Sequence, residues 1–218
     1  MPGYTNSAHA EQLVNHWYWR PGWEPGREFY TWHLTFEDEH ELHRLVAEYQ
    51  DALRGVQELD MVPISWLHVT MQGVGFADEV AEAELAALAD AVGRRVAAVP
   101  PQVVTFDRPT ARPQAIALYP SPARQIQKIR TAVRTGFADL WGERRVPEAE
   151  APFTPHLSVA YVNSDTSSRR AVQAVTAVVT RPVAVTIRRI TLIALAREGH
   201  LYRWRTIYRA PLLGGLRD

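Results

Sequence analysis

The spacing of apolar and polar positions changes period several times along the chain, and each change marks an element. EFYTWHLTF (28–36) alternates and is rich in aromatic and β-branched residues, which predicts a strand. Asp38 can cap a helix running to about Gly55, with Leu42, Leu45, Val46, Tyr49 and Leu53 on one apolar stripe. ISWLHVTMQGVG (64–75) returns to strand and ends in glycines, residues 78–99 read as an amphipathic helix, and PQVVTF (101–106) is again a strand. From AIALYP (115–120) the order recurs. A helix over 122–140 turns Ile126, Ile129, Val133 and Phe137 inward, TPHLSVAYV (154–162) is a strand, and 168–178 a helix. VAVTIRRITLIAL (183–195) reads as one long strand joined to LYRWRTIYR (201–209) by a turn at Glu198-Gly199.

Each half therefore runs strand, helix, strand, helix, strand, a duplication with a first repeat at about 28–107 and a second at about 112–210. Residues 1–27 form an irregular aromatic arm, with RPGWEPGRE as its turn signal. The remainder, 28–218, reads as one bilobal domain.

Composition narrows the function classes. A chain of 218 residues, 46% hydrophobic, is long enough for a sizeable core. Formal net charge is +0, which argues against a protein that grips duplex DNA through many phosphates and leaves a small anionic ligand or a short nucleic-acid end open. Cysteine is absent, which excludes disulfides, thiolate ligands and a cysteine nucleophile and fits a cytoplasmic location. The first residues have neither a basic nor an apolar region of a secretory signal, and no apolar run reaches a membrane span. A monomer with no membrane partner is expected.

The candidate chemistry lies in two short motifs. His68-Val69-Thr70 sits on the second strand of the first half, and His156-Leu157-Ser158 on the second strand of the second half, 88 positions later. Residues i and i+2 of a strand share a face, so each motif presents an imidazole and a hydroxyl together. Across a pseudo-two-fold axis the two pairs would face each other. Imidazoles titrate near neutrality and can serve as a base and an acid at one pH, and hydroxyls can donate to phosphate oxygens. Neither metal nor cofactor is needed. A third triplet, His33-Leu34-Thr35, has no counterpart in AIALYP and is set aside as catalytic, though its strand can bring His33 to the pocket wall. Arg203 and Arg205 alternate with Tyr202 and Trp204 and are secondary candidates for substrate contact. HELH (40–43) lacks a third ligand and reads as a solvated helix face. Trp17, Trp19, Trp23 and Trp32 suit an arm packed over one lobe.

With both motifs placed, the chain resembles the 2H phosphoesterase superfamily, in particular its 2′-5′ RNA ligase-like branch. The resemblance rests on HVT followed by MQGVG, on PHLSVAY, and on the element order over about 28–210. Ser158 stands where threonine is commoner and keeps the hydroxyl. The resemblance implies an α+β fold of two lobes, with two mainly antiparallel sheets facing a central cleft and helices outside. It implies metal-independent hydrolysis, or reversible transesterification, of 2′,3′-cyclic phosphate or 2′-5′ phosphodiester bonds in nucleotides or RNA ends. His68 and His156 would be acid and base, with Thr70 and Ser158 contacting the phosphate. The family leans towards His156 as base and His68 as acid; the residues themselves leave the order open. The rival readings are a nucleotide- or RNA-end-binding protein on the same fold and a metal hydrolase using His68, His156 and a carboxylate.

Overall fold

A computed structural model describes residues 8–148 and 152–215 of the chain. Two four-stranded antiparallel sheets form its centre. The first has the order β12-β11-β2-β4, from Leu201–Pro211, Arg189–Glu198, Phe29–Thr35 and His68–Phe76. The second has the order β3-β8-β7-β6, from Leu59–Met61, Leu157–Val162, Ala115–Leu118 and Thr110–Arg112. A two-stranded ribbon of β5 (Gln102–Phe106) and β10 (Val183–Ile187) joins the two repeats. The mixed α+β class and antiparallel sheets agree with the expectation.

Among the described residues the α-helices are α1 (His40–Leu53), α2 (Glu82–Ala97), α3 (Ala123–Trp141) and α4 (Arg169–Ala177). Each buries the stripe read from its periodicity, including Leu42, Leu45, Val46, Tyr49 and Leu53 in α1 and Ile126, Ile129, Val133 and Phe137 in α3. Their pairing crosses the duplication. α1, which follows β2 of the first sheet, packs with α4 behind β8 of the second. α3, which follows β7 of the second sheet, packs with α2 and against β4 of the first. The first helix of each repeat thus packs on the sheet that does not contain the strand before it.

The α2–α3 crossing is close. A Cβ on Gly136 would lie 2.6 Å from the Val92 Cα, so glycine is what lets the backbones touch. Overpacking of this kind costs about 1–3 kcal/mol, against a helix-propensity gain of about 1 kcal/mol for alanine. Gly136→Ala is therefore expected to lower Tm by roughly 2–6 °C in scanning calorimetry. An unchanged Tm would mean the helices part freely.

Three details depart from the periodicity. The stretch expected as one strand over 183–195 is two, in different sheets, broken at Arg188. The apolar phase shifts there, from Val185 and Ile187 to Ile190 and Leu192, so each half buries its own face. The short strand β3 escaped notice because three residues carry too little alternation to register. The arm contains a two-residue strand, β1 (Gln12–Leu13), paired with β9 (Thr166–Ser167), and continues along the second sheet through His16 N–H to Val162 O at 2.8 Å. Among the described residues no helix is long and apolar enough to cross a membrane.

Candidate active site

His68, Thr70, His156 and Ser158 line one cleft of ≈ 400 Å³ between the two sheets. The strands carrying them are built alike. In β4 the pairing with β2 slips between Thr70 and Gln72, leaving Met71 as a bulge; in β8 the pairing with β7 slips between Ser158 and Ala160, leaving Val159 as a bulge. Both bulged side chains are buried. Both bulged carbonyls are held by the exchanged helices. Arg130 of α3, 7% exposed, donates from Nε to Met71 O at 2.9 Å, and Gln50 of α1 donates from Nε2 to Val159 O at 3.0 Å.

A bulge resets the side-chain alternation by one residue. Tyr161 shares the parity of the buried Leu157 and Val159, which places it behind the strand in a regular β8. The bulge instead brings it to the cleft beside Ser158. Its counterpart after the bulge in β4 is Gly73, which also lines the cleft. One wall is therefore filled by a phenol where the other is open.

The two catalytic candidates are oriented by the same device. His68 Nδ1 lies 2.8 Å from Trp66 O, and His156 Nδ1 lies 2.9 Å from Thr154 O. A carbonyl oxygen only accepts, so each Nδ1 carries the hydrogen and each neutral ring is left with a bare Nε2. His156 is exposed. His68 is half-buried, stacked on His33 with centroids 4.6 Å apart and met edgewise by Trp204 at 5.3 Å. Burial, helped by the charge of His156 and opposed by the Trp66 carbonyl, lowers the His68 pKa to about 4.

His33 does reach the cleft wall. It is 1% exposed, and its Nε2 lies 3.2 Å from Thr70 Oγ1. Burial holds its pKa well below the ordinary value, so the ring is neutral. Its Nδ1 is buried without a partner. Placing the one ring hydrogen on Nε2 avoids an orphaned N–H and makes Thr70 Oγ1 the acceptor, which frees the Thr70 hydrogen to point at a ligand.

Arg203 and Arg205 are not among the cleft-lining residues. Alternation on β12 sends Tyr202 to the cleft and Trp204 to His68, while Arg203 pairs with Glu198 at 3.0 Å and Arg205 with Glu28 at 2.8 Å on the other face. Arg134 of α3 donates to Gln72 Oε1 at 2.6 Å and Pro147 O at 2.9 Å. His43 of HELH bonds Phe36 O at 2.6 Å. Among the described residues no three His, Asp or Glu side chains form a metal-ligating group.

The arm supplies cleft residues that no motif announced. His16 stacks on Tyr161 with centroids 4.2 Å apart, and its Nε2 lies 3.1 Å from the Tyr202 hydroxyl. Burial first, then the charges of Arg20 and Arg197, lower its pKa to about 3, so it is a neutral wall rather than a base. Arg20 and Trp23 line the cleft as well, whereas Trp17 is buried against Tyr161 and His200 and Trp32 lies in the core. The tryptophan cluster was the signal for this segment; which of its neighbours face the cleft was not encoded in a local pattern.

A sequence-family model described as the 2'-5' RNA ligase superfamily matches residues 36–199. No curated protein matches the sequence. Among solved structures, TT0787 of Thermus thermophilus is similar with a TM-score of 0.65 at 19% identity, over 85% of this chain and 98% of that one. E. coli LigT complexed with 3'-AMP gives a TM-score of 0.62 at 18% identity, over 85% and 98%. A structure described as a phosphoesterase gives 0.60 at 18% identity, over 87% and 99%. At these identities the structures speak for the fold.

Proposed function

The chain belongs to the 2'-5' RNA ligase superfamily, and from that premise we propose that its cleft hydrolyses, or reversibly transesterifies, a 2′,3′-cyclic phosphate or 2′-5′ phosphodiester at a nucleotide or RNA end. Membership supports a phosphoesterase-type enzyme in general. The finer reading is carried by one observation: two imidazoles with bare Nε2 atoms and two hydroxyls converge on a single cleft. E. coli LigT has been crystallised with 3'-AMP, ATP, NADP+ and phosphate, which is compatible with a nucleotide-sized ligand in this fold.

In the proposed hydrolysis one Nε2 takes a proton from water as the water oxygen bonds phosphorus. The P–O bond to the ribose breaks, and the other histidine's Nε2–H protonates the departing oxygen. Thr70 and Ser158 donate to the non-bridging oxygens as charge builds on them. The electrostatics favour His68 as the base, because its lowered pKa keeps Nε2 unprotonated through the neutral range. His156, open to solvent, is then the acid that exchanges its proton with water. That order is the reverse of the one the family resemblance suggested. In ligation the two roles interchange.

The test is turnover of a 2′,3′-cyclic nucleotide and of a short RNA with a 2′,3′-cyclic end, both in EDTA. Turnover of either is expected, with kcat/KM falling on the acid side as pH drops towards about 4, where His68 takes a proton. Binding of both without turnover at any pH from about 5 to 8 would move the chain to the nucleotide-binding reading.

A further inference from the structure

The cleft continues past His156 into a second recess of ≈ 480 Å³. His16, Arg20, His156, Ser158 and Tyr161 line both compartments and so mark their junction. Beyond it the recess is lined by Arg112, Gln114 and Tyr119, with the Arg112 guanidinium 6.0 Å from the Tyr119 ring centroid. Each compartment alone is in the size range of a small-ligand site. A cyclic mononucleoside phosphate reacting at the junction would fill one and leave the other for the rest of a larger substrate.

Arg20 is held there by the fold. Arg197, 6% exposed, donates to Tyr18 O at 3.0 Å and Trp17 O at 2.5 Å, which anchors the backbone directly ahead of Arg20. The pairing of β1 with β9 fixes the arm further upstream. Among the described residues Arg20 takes part in none of the ion pairs. The groups that act on it besides desolvation are the phenols of Tyr18, Tyr202 and Tyr161. Arg203 and Arg205, by contrast, are neutralised by carboxylates. A guanidinium at the junction of two compartments and in no ion pair, although Glu148 also lines the first compartment, is a phosphate-binding group by its chemistry: planar, permanently charged and able to donate two parallel hydrogen bonds. It also lies outside the segment that the family model matches.

Building on the proposed phosphoesterase reading, we infer that Arg20 is a specificity-determining residue that binds a second phosphate of the substrate, one that is not cleaved. The same chemistry arises from a 5′-monophosphate on a cyclic mononucleotide or from the internucleotide phosphate of an oligonucleotide with a cyclic end.

Three substrates separate these sources: cytidine 2′,3′-cyclic phosphate, its 5′-phosphorylated form, and a dinucleotide ending in a 2′,3′-cyclic phosphate. The wild-type kcat/KM is expected to favour at least one phosphate-bearing substrate by about tenfold or more over cytidine 2′,3′-cyclic phosphate, the scale of one charge-assisted hydrogen-bonded contact. In Arg20→Gln that ratio should fall towards one, chiefly through KM, and Arg20→Lys should retain part of it. A wild-type ratio near one, or a ratio unchanged in Arg20→Gln, overturns the inference while leaving the phosphoesterase reading intact. Calorimetry with cytidine 3′-monophosphate and 3′,5′-bisphosphate provides the independent arm. Tighter binding of the bisphosphate that is lost in Arg20→Gln, in a protein that turns over none of the three substrates, would sustain the role of Arg20 and remove the cyclic-phosphate reading. Equal binding of the two by the wild-type protein counts against Arg20.

Discussion

His68→Ala and His156→Ala are each expected to lower turnover of a 2′,3′-cyclic phosphate by about 10²–10⁴-fold, the usual share of a general acid or base. The double variant should fall little further than the worse single one, because an acid and a base that act in one step are not additive. His156 is exposed and contributes no core packing, so its variant should keep the wild-type Tm. His68→Ala removes a ring packed between His33 and Trp204 and is expected to cost some stability, which circular dichroism and thermal melting will register separately from turnover. A His156→Ala protein with near wild-type turnover would sink the two-histidine mechanism. His33→Ala should keep more activity than either, since His33 is a neutral wall residue that contacts Thr70 and the His68 ring and supplies neither acid nor base.

The second large effect is on stability in mild acid. Three histidines are buried or half-buried in neutral form, with His68 at about 4, His16 at about 3 and His33 well below its ordinary value. Unfolded histidine takes up its proton near pH 6.5. Between that value and the lowered folded values the unfolded chain binds more protons, so stability is complete above about pH 6.5 and falls as pH falls. For His68 alone the span corresponds to about 3 kcal/mol, and His16 adds a comparable loss. Against a typical total of about 5–15 kcal/mol, this makes the fold acid-labile. Urea denaturation at pH 7 and pH 5.5 is expected to show a fall of about 3–4 kcal/mol, at a pH still above the range in which most carboxylates protonate. His16→Phe, which keeps a ring against Tyr161, should reduce that fall. Stability that is flat over this interval would contradict the neutral burial of these rings.

Arg20 and Tyr161 show why part of the site escaped a linear reading. A bulge is a property of two strands in register, so the rotation of Tyr161 into the cleft depends on β7 as much as on β8. Arg20 opens the turn-rich stretch RPGWEPGRE and has no motif of its own, and its position depends on Arg197, 177 residues away in sequence. Arg203 and Arg205 failed as candidates for the converse reason. Their alternation was read correctly, but alternation does not say which face of an edge strand meets the cleft, nor that Glu198 and Glu28 stand within ion-pair distance.

Local spacing was enough for the helices, most strands, the repeat of their order and the two His-x-Thr/Ser motifs, because period and side-chain chemistry are properties of neighbouring residues. The convergence of those motifs is of another kind. It requires α3 to pack against β4 and α1 behind β8, so that Arg130 and Gln50 can hold the bulges beside Thr70 and Ser158. Those contacts join residues 59 and 109 positions apart. No periodicity records them, and only packing around a shared core brings them together.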